Sequence, residues 1–204
     1  MAKLIAFPKP TRDHLRVGVL GSTRGTALQG ILDALAADQL PDVDLTLVIS
    51  DKANAPILDR AENAGIDTLF LDPQGLDRPI YDEEITRAFE EAGADLILMI
   101  GYMRIVSSNF IEQWRGRLLN VHPSLLPAFG GLMNRAVHEA VLHSGATETG
   151  CTIHQVTEDV DAGPIVLQLR CPVLESDTVE TLKDRVQALE QQAFVEVLRT
   201  WPRP

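Results

Sequence analysis

The chain predicts a three-layer α/β fold: a mostly parallel, doubly wound sheet, then an antiparallel carboxyl-terminal hairpin and a long final helix. Three observations predict it. Up to residue 100, short apolar runs alternate with segments of helical period, the pattern of parallel strands joined by right-handed helical crossovers. The run Asp95-Leu-Ile-Leu-Met-Ile100 is almost continuously apolar, as a strand covered on both faces must be. The 204 residues, 45% of them hydrophobic, suffice for one large core. We therefore expect one domain over residues 14–204, preceded by a short leader arm at 1–13.

Each element has its own signal. Leu15 to Ser22 is a short apolar run closed by glycine, and Leu28, Ile31, Leu32 and Leu35 then recur at helical spacing, which gives strand, turn and helix. Val43 to Ser50 is the second strand, and Ala55 to Ala64 is a helix with Gly65 as its stop. Thr68 to Leu71 is a third strand, and the helix from Tyr81 to Ala92 turns Ile85 and Phe89 inward. The fourth strand, from Asp95 to Ile100, is followed by Gly101-Tyr-Met-Arg104-Ile-Val106, which serves either as a plain connector or as the lip of a ligand crevice. Such crevices open beyond the carboxyl ends of parallel strands. Past Asn120 a loop rich in proline and glycine runs to Gly131, and a helix covers about 135–143. Gly150 to Thr157 and Ile165 to Val173 form the hairpin. The last helix, about 178–199, carries Val179, Leu182, Val186, Leu189, Ala193 and Val197 on one stripe, with Ser176 and Asp177 as its caps.

Composition bounds the partners. A net charge of -11 excludes a general electrostatic grip on nucleic acid or on anionic membrane, both of which need basic surface. No apolar run reaches the roughly 20 residues of a membrane span, and residues 1–10 lack the apolar length of a signal peptide. Cys151 and Cys171 are too few for a disulfide scaffold and lack metal-motif spacing, which fits a reducing cytoplasm.

The chemistry-bearing residues concentrate in two stretches. In Asn120-Val-His122, residues two apart on a strand face the same way, so a carboxamide and an imidazole share one pocket. Pro123 and Pro127 then end the strand and stiffen the loop after it. Asp161, in an Asp-Ala-Gly-Pro turn, is placed to bring a carboxylate to His122. Such a partner favours the charged imidazolium and suits it to act as a general acid or oxyanion stabiliser. Metal binding is the competing use of a His and Asp cluster, but no metal-binding motif accompanies this one, and none is expected. His14, His138, His143 and His154 stand in ordinary contexts. The turn Gly21-Ser-Thr-Arg24-Gly25-Thr26 precedes the first helix; its free amides either favour an anion such as phosphate or serve packing alone. Gln187 and Glu190 can reach a ligand if the last helix faces the crevice.

Asn120-Val-His122-Pro-Ser-Leu-Leu-Pro127, Gly101-Tyr-Met-Arg104-Ile and Val156-Thr-Glu-Asp-Val-Asp161-Ala-Gly-Pro-Ile-Val-Leu-Gln168 together resemble the folate-dependent formyltransferases. The resemblance runs from about Leu15 to Trp201 and implies their Rossmann-like fold. It further implies transfer of a formyl group from 10-formyltetrahydrofolate, a co-substrate, to the primary amine of glycinamide ribonucleotide in purine synthesis. By this resemblance Asn120 holds the formyl oxygen, His122 stabilises the developing oxyanion and Asp161 keeps His122 charged. Arg78, Met103, Arg104, Ile105, Val106, Thr157, Glu158, Asp159 and Val160 would meet the folate. Gly25, Thr26, Ala27, Gln187 and Glu190 would hold the ribonucleotide. Partners are then small molecules, and the chain acts as a monomer or homodimer. The first loop departs from the family's S-G-N-G-S-N: Arg24 is gained and Ala27 replaces an asparagine. Rival readings are a formyltetrahydrofolate hydrolase, a sugar-nucleotide formyltransferase, and a noncatalytic folate or nucleotide binding module.

Overall fold

A computed structural model describes residues 13–202, so the expected leader arm, apart from Asp13, lies outside the described residues. In chain order the elements are β1 (Leu15–Leu20), α1 (Thr26–Ala36), β2 (Val43–Ser50), α2 (Pro56–Asn63), β3 (Thr68–Phe70), α3 (Arg78–Glu91) and β4 (Leu96–Met99). They continue as α4 (Ser108–Gln113), β5 (Leu118–His122), α5 (Arg135–His143), β6 (Glu148–Gln155), β7 (Ile165–Pro172) and α6 (Val179–Thr200). The sheet runs β3-β2-β1-β4-β5-β6-β7. The first five strands are parallel, and β6 and β7 pair antiparallel.

Two cores account for the three layers. Leu28 and Ile31 of α1, Ile57 of α2 and Phe194 of α6 pack on one face of the sheet, against Val17, Val19 and Leu98. Tyr81, Ile85 and Phe89 of α3 and Phe110 of α4 pack on the other, against Leu20, Ile97 and Met99. Each fully buried side chain of this size contributes about 1.5–3 kcal/mol by leaving water. Trp114 closes the second core, edge-on to Phe89 at a centroid distance of 6.2 Å.

Two details differ from expectation. The connector after β4 leads into α4, whose six residues are too few to display a helical period. Its signal was the cap: Ser107 Oγ accepts from the Phe110 N–H at 3.4 Å, and Phe110, Ile111 and Trp114 are buried. The cap of α6 is Thr178, in a reciprocal capping box with Thr181, whereas Ser176 and Asp177 had been expected. Asp177 supports that turn from outside, accepting from the Thr181 hydroxyl at 2.9 Å and binding Arg185 at 2.6 and 2.8 Å. No described helix is long and apolar enough to cross a membrane.

The topology fixes where a ligand can sit. β1 lies between β2 and β4. Its following helix covers one face of the sheet while the helix after β4 covers the other. Loops that diverge in this way open a crevice at the strands' carboxyl ends.

Candidate active site

The crevice holds a cavity of about 570 Å³, in the range of small-molecule sites. β5 brings Asn120 and His122 to it, and Val121, which also borders the cavity, packs against the core shared with α1 and α6. In the β5·β6 register Asn120 lies directly opposite His154, so their side chains share a face. Asp161 enters from the 156–164 connection, where it adopts a left-handed φ of 55°. That connection passes so close to β6 that a Cβ on Gly163 would stand 1.8 Å from the Gln155 carbonyl oxygen.

Asp161 is the hub of a buried network. Asp161 Oδ2 lies 3.2 Å from His122 Nδ1 and also accepts from the Gly131 N–H at 2.9 Å, while Oδ1 lies 3.5 Å from His154 Nε2. His122 Nε2 meets the Phe129 carbonyl at 3.1 Å, and Asn120 Nδ2 lies 3.2 Å from His154 Nε2. His122 and His154 are 3% and 2% exposed, so these interactions are little screened by water. Burial pushes the Asp161 carboxyl up, but hydrogen bonds from His122, His154 and the Gly131 amide outweigh it and hold the group well below the usual carboxylate range. Asp161 is therefore a fixed negative charge between two imidazoles.

The rest of the wall gathers many of the expected residues. Gly25, Thr26 and Ala27 border the cavity, as do Met103 to Val106, Thr157, Glu158, Val160, Gln187 and Glu190. Gly25 takes a left-handed φ of 61° before α1, with no side-chain cap on the helix, and Ile57 fills the space a Cβ would need. Arg78 and Asp159 do not border the cavity: Arg78 is exposed at the start of α3 and Asp159 on the connection before Asp161. Arg24 is also exposed and off the wall; its carbonyl accepts from Arg60 Nε at 2.7 Å. The lip is tied down at both ends. Met103 N–H donates to Ser22 Oγ at 3.0 Å and Ser107 N–H to the buried Asp82 carboxylate at 2.5 Å, while the Arg104 guanidinium lies over the Tyr81 ring at 5.1 Å.

Two histidines read as ordinary belong to the site. His154 joins the Asp161 network, and His138 of α5 borders the cavity. Burial, with the charges of Lys183 and His122, pushes His138 down to about 4, so it stands neutral. The pairing of β5 with β6 was the signal for His154. Glu190, on the same wall, is pushed up to about 7 by desolvation alone. Among the described residues no group of three or more His, Cys, Asp or Glu side chains could hold a metal ion.

The Formyl transferase family matches residues 15–198. The chain is 37% identical to the phosphoribosylglycinamide formyltransferase of Escherichia coli (strain K12), over 88% of this chain and 84% of that one. It is 43% identical to the trifunctional purine biosynthetic protein adenosine-3 of Bos taurus over 90% of this chain, yet spans only 18% of that protein's length. The crystal structure of glycinamide ribonucleotide transformylase 1 from Symbiobacterium toebii superposes with a TM-score of 0.87 at 40% identity, covering 97% of this chain and 92% of that one.

Proposed function

Because the chain belongs to the formyl transferase family, we propose that it moves a formyl group from 10-formyltetrahydrofolate to the primary amine of glycinamide ribonucleotide. The observation that carries the reading is the Asn120, His122 and Asp161 cluster at the floor of a crevice sized for small molecules. Attack of an amine on a formyl carbon builds negative charge on the formyl oxygen, and preorganised donors aimed there lower the barrier. Asn120 supplies the neutral donor, and His122 the acid, through the Nε2 that meets the Phe129 carbonyl when no substrate is bound and would exchange that contact for the formyl oxygen. Asp161 holds His122 in place, its own proton lost even at low pH. A carbon–nitrogen bond forms to the acceptor as the bond to the donor's nitrogen breaks; the acceptor amine gives up one proton and the departing nitrogen gains one.

The wall divides by chemistry. The lip from Met103 to Val106, with Thr157, Glu158 and Val160 also on the cavity wall, suits a flat heteroaromatic donor, and the exposed Arg78 at the start of α3 suits an anionic tail. The uncapped start of α1 at Gly25, Thr26 and Ala27 offers backbone N–H groups to a phosphate, while Gln187 and Glu190 face ribose hydroxyls. This single catalytic domain, over residues 14–204, would act in the cytoplasm on small molecules. Mixing the protein with both substrates and following loss of the donor by absorbance tests the proposal. Turnover that requires the ribonucleotide is expected; donor loss without it would make water the acceptor, and no loss at neutral pH would refute formyl transfer.

A further inference from the structure

Asn120 has a requirement that its own strand does not meet. A carboxamide grips a developing oxyanion only through its NH₂, since its other end is an acceptor. The Asn120 atom facing His154 Nε2 at 3.2 Å is Nδ2, an orientation that leaves Oδ1 toward the reacting oxygen. The two ends of a carboxamide are nearly isosteric, so a half-turn exchanges them without disturbing the packing. Which end faces the cavity is therefore decided by the proton on His154 Nε2.

The surroundings of that nitrogen decide it. His154 is 2% exposed, and the Gln155 carbonyl, an acceptor only, takes the Nδ1 proton at 3.0 Å, so a further proton on Nε2 makes the ring an imidazolium beside the Asp161 carboxylate. Nε2 faces Asp161 Oδ1 at 3.5 Å. Asp161 is an ionised, acceptor-only group, so a bare Nε2 would set one lone pair against another in a buried place, where unmatched polar groups are costly. A proton on Nε2 turns that repulsion into attraction. It also needs an acceptor at the Asn120 position, which only Oδ1 supplies.

We infer that His154 is a positioning residue: its Nε2–H, held by Asp161, accepts no bond but donates to Asn120 Oδ1 and so turns the Asn120 NH₂ toward the transferring formyl oxygen. One carboxylate then serves both halves of the oxyanion grip, His122 through Nδ1 and Asn120 through His154. The amide orientation follows from the network alone; its catalytic consequence rests on the formyl-transfer reading above.

The test is nitrogen NMR on the full chain labelled at histidine, without substrates and at the pH of turnover, with His154 assigned by its absence from His154→Gln. A directly bonded proton on His154 Nε2 is expected, and an unprotonated Nε2 would overturn the inference. Kinetics supply the second arm. His154→Leu should lose about 100-fold in kcat, the scale of one lost oxyanion donor, with KM for both substrates little changed. His154→Gln, which can still donate to Asn120 Oδ1, should recover most of it. Equal losses in two folded variants would overturn the inference. A protonated Nε2 in a protein with no turnover would leave the network standing and refute the formyl-transfer reading instead.

Discussion

Replacing Glu190 with glutamine should stabilise the free protein at pH 8 and do so much less at pH 5. Glu190 lies on the α6 wall of the cavity, and desolvation with no compensating partner raises it from 4.5 to about 7. A carboxyl whose folded pKa is raised is favoured in its protonated form. Its contribution is intact below the unfolded pKa, falls as pH climbs from there and is fully lost above the folded value. Raising the carboxyl from 4.5 to about 7 corresponds to about 3 kcal/mol. Part of the side chain still reaches solvent, and screening reduces this to about 1–2 kcal/mol. For a chain of this length that is a Tm gain of about 2–8 °C at pH 8. Thermal melts of both proteins at pH 5 and pH 8 measure it. A gain equal at the two pH values, or a loss confined to pH 8, would refute the argument that an unpaired carboxylate is being desolvated there.

Three further outcomes follow from the site. Asn120→Ala should lower kcat by about 100 to 1000-fold, the cost of one oxyanion donor; steady-state kinetics would register a loss in KM alone as a contradiction. Asp161→Asn should cost about 1–3 kcal/mol at neutral pH, because it weakens hydrogen bonds to two buried imidazoles. Since the Asp161 pKa is depressed, its contribution is present above the ordinary carboxylate pKa and fades as pH falls through the lower folded value, so denaturant melts should show the gap narrowing in strong acid. Gly163→Ala should reduce both Tm and activity, because its Cβ would strike the Gln155 carbonyl and displace the segment carrying Asp161. Unchanged activity in this variant would mean the connection can relax without moving the carboxylate.

The parallel half of the fold was legible because its signals are local. Each strand is an apolar run, each long helix repeats its apolar positions, and the crevice follows from the order of the strands. α4 escaped because six residues show no period and the Ser107 cap stood alone. In the site, Asn120 and His122 were visible as neighbours on one strand. His154 was not, because its role depends on a cross-strand register with Asn120 that no local pattern encodes. His138 and Glu190 take their character from burial, about 4 for the one and about 7 for the other, and burial appears only once α5 and α6 are docked. Arg24 is the converse case. It was conspicuous in the sequence, yet its exposed side chain does not border the cavity, and its carbonyl accepts from Arg60.

The most direct measurement follows the formyl carbon itself. With a donor carrying a carbon-13 label on the formyl group, one NMR spectrum separates the fates open to it. The Asn120, His122 and Asp161 machinery predicts that the label appears in a new amide on glycinamide ribonucleotide, at a rate lost in His122→Ala. Label recovered as formate, or transfer that survives the loss of His122, would contradict it.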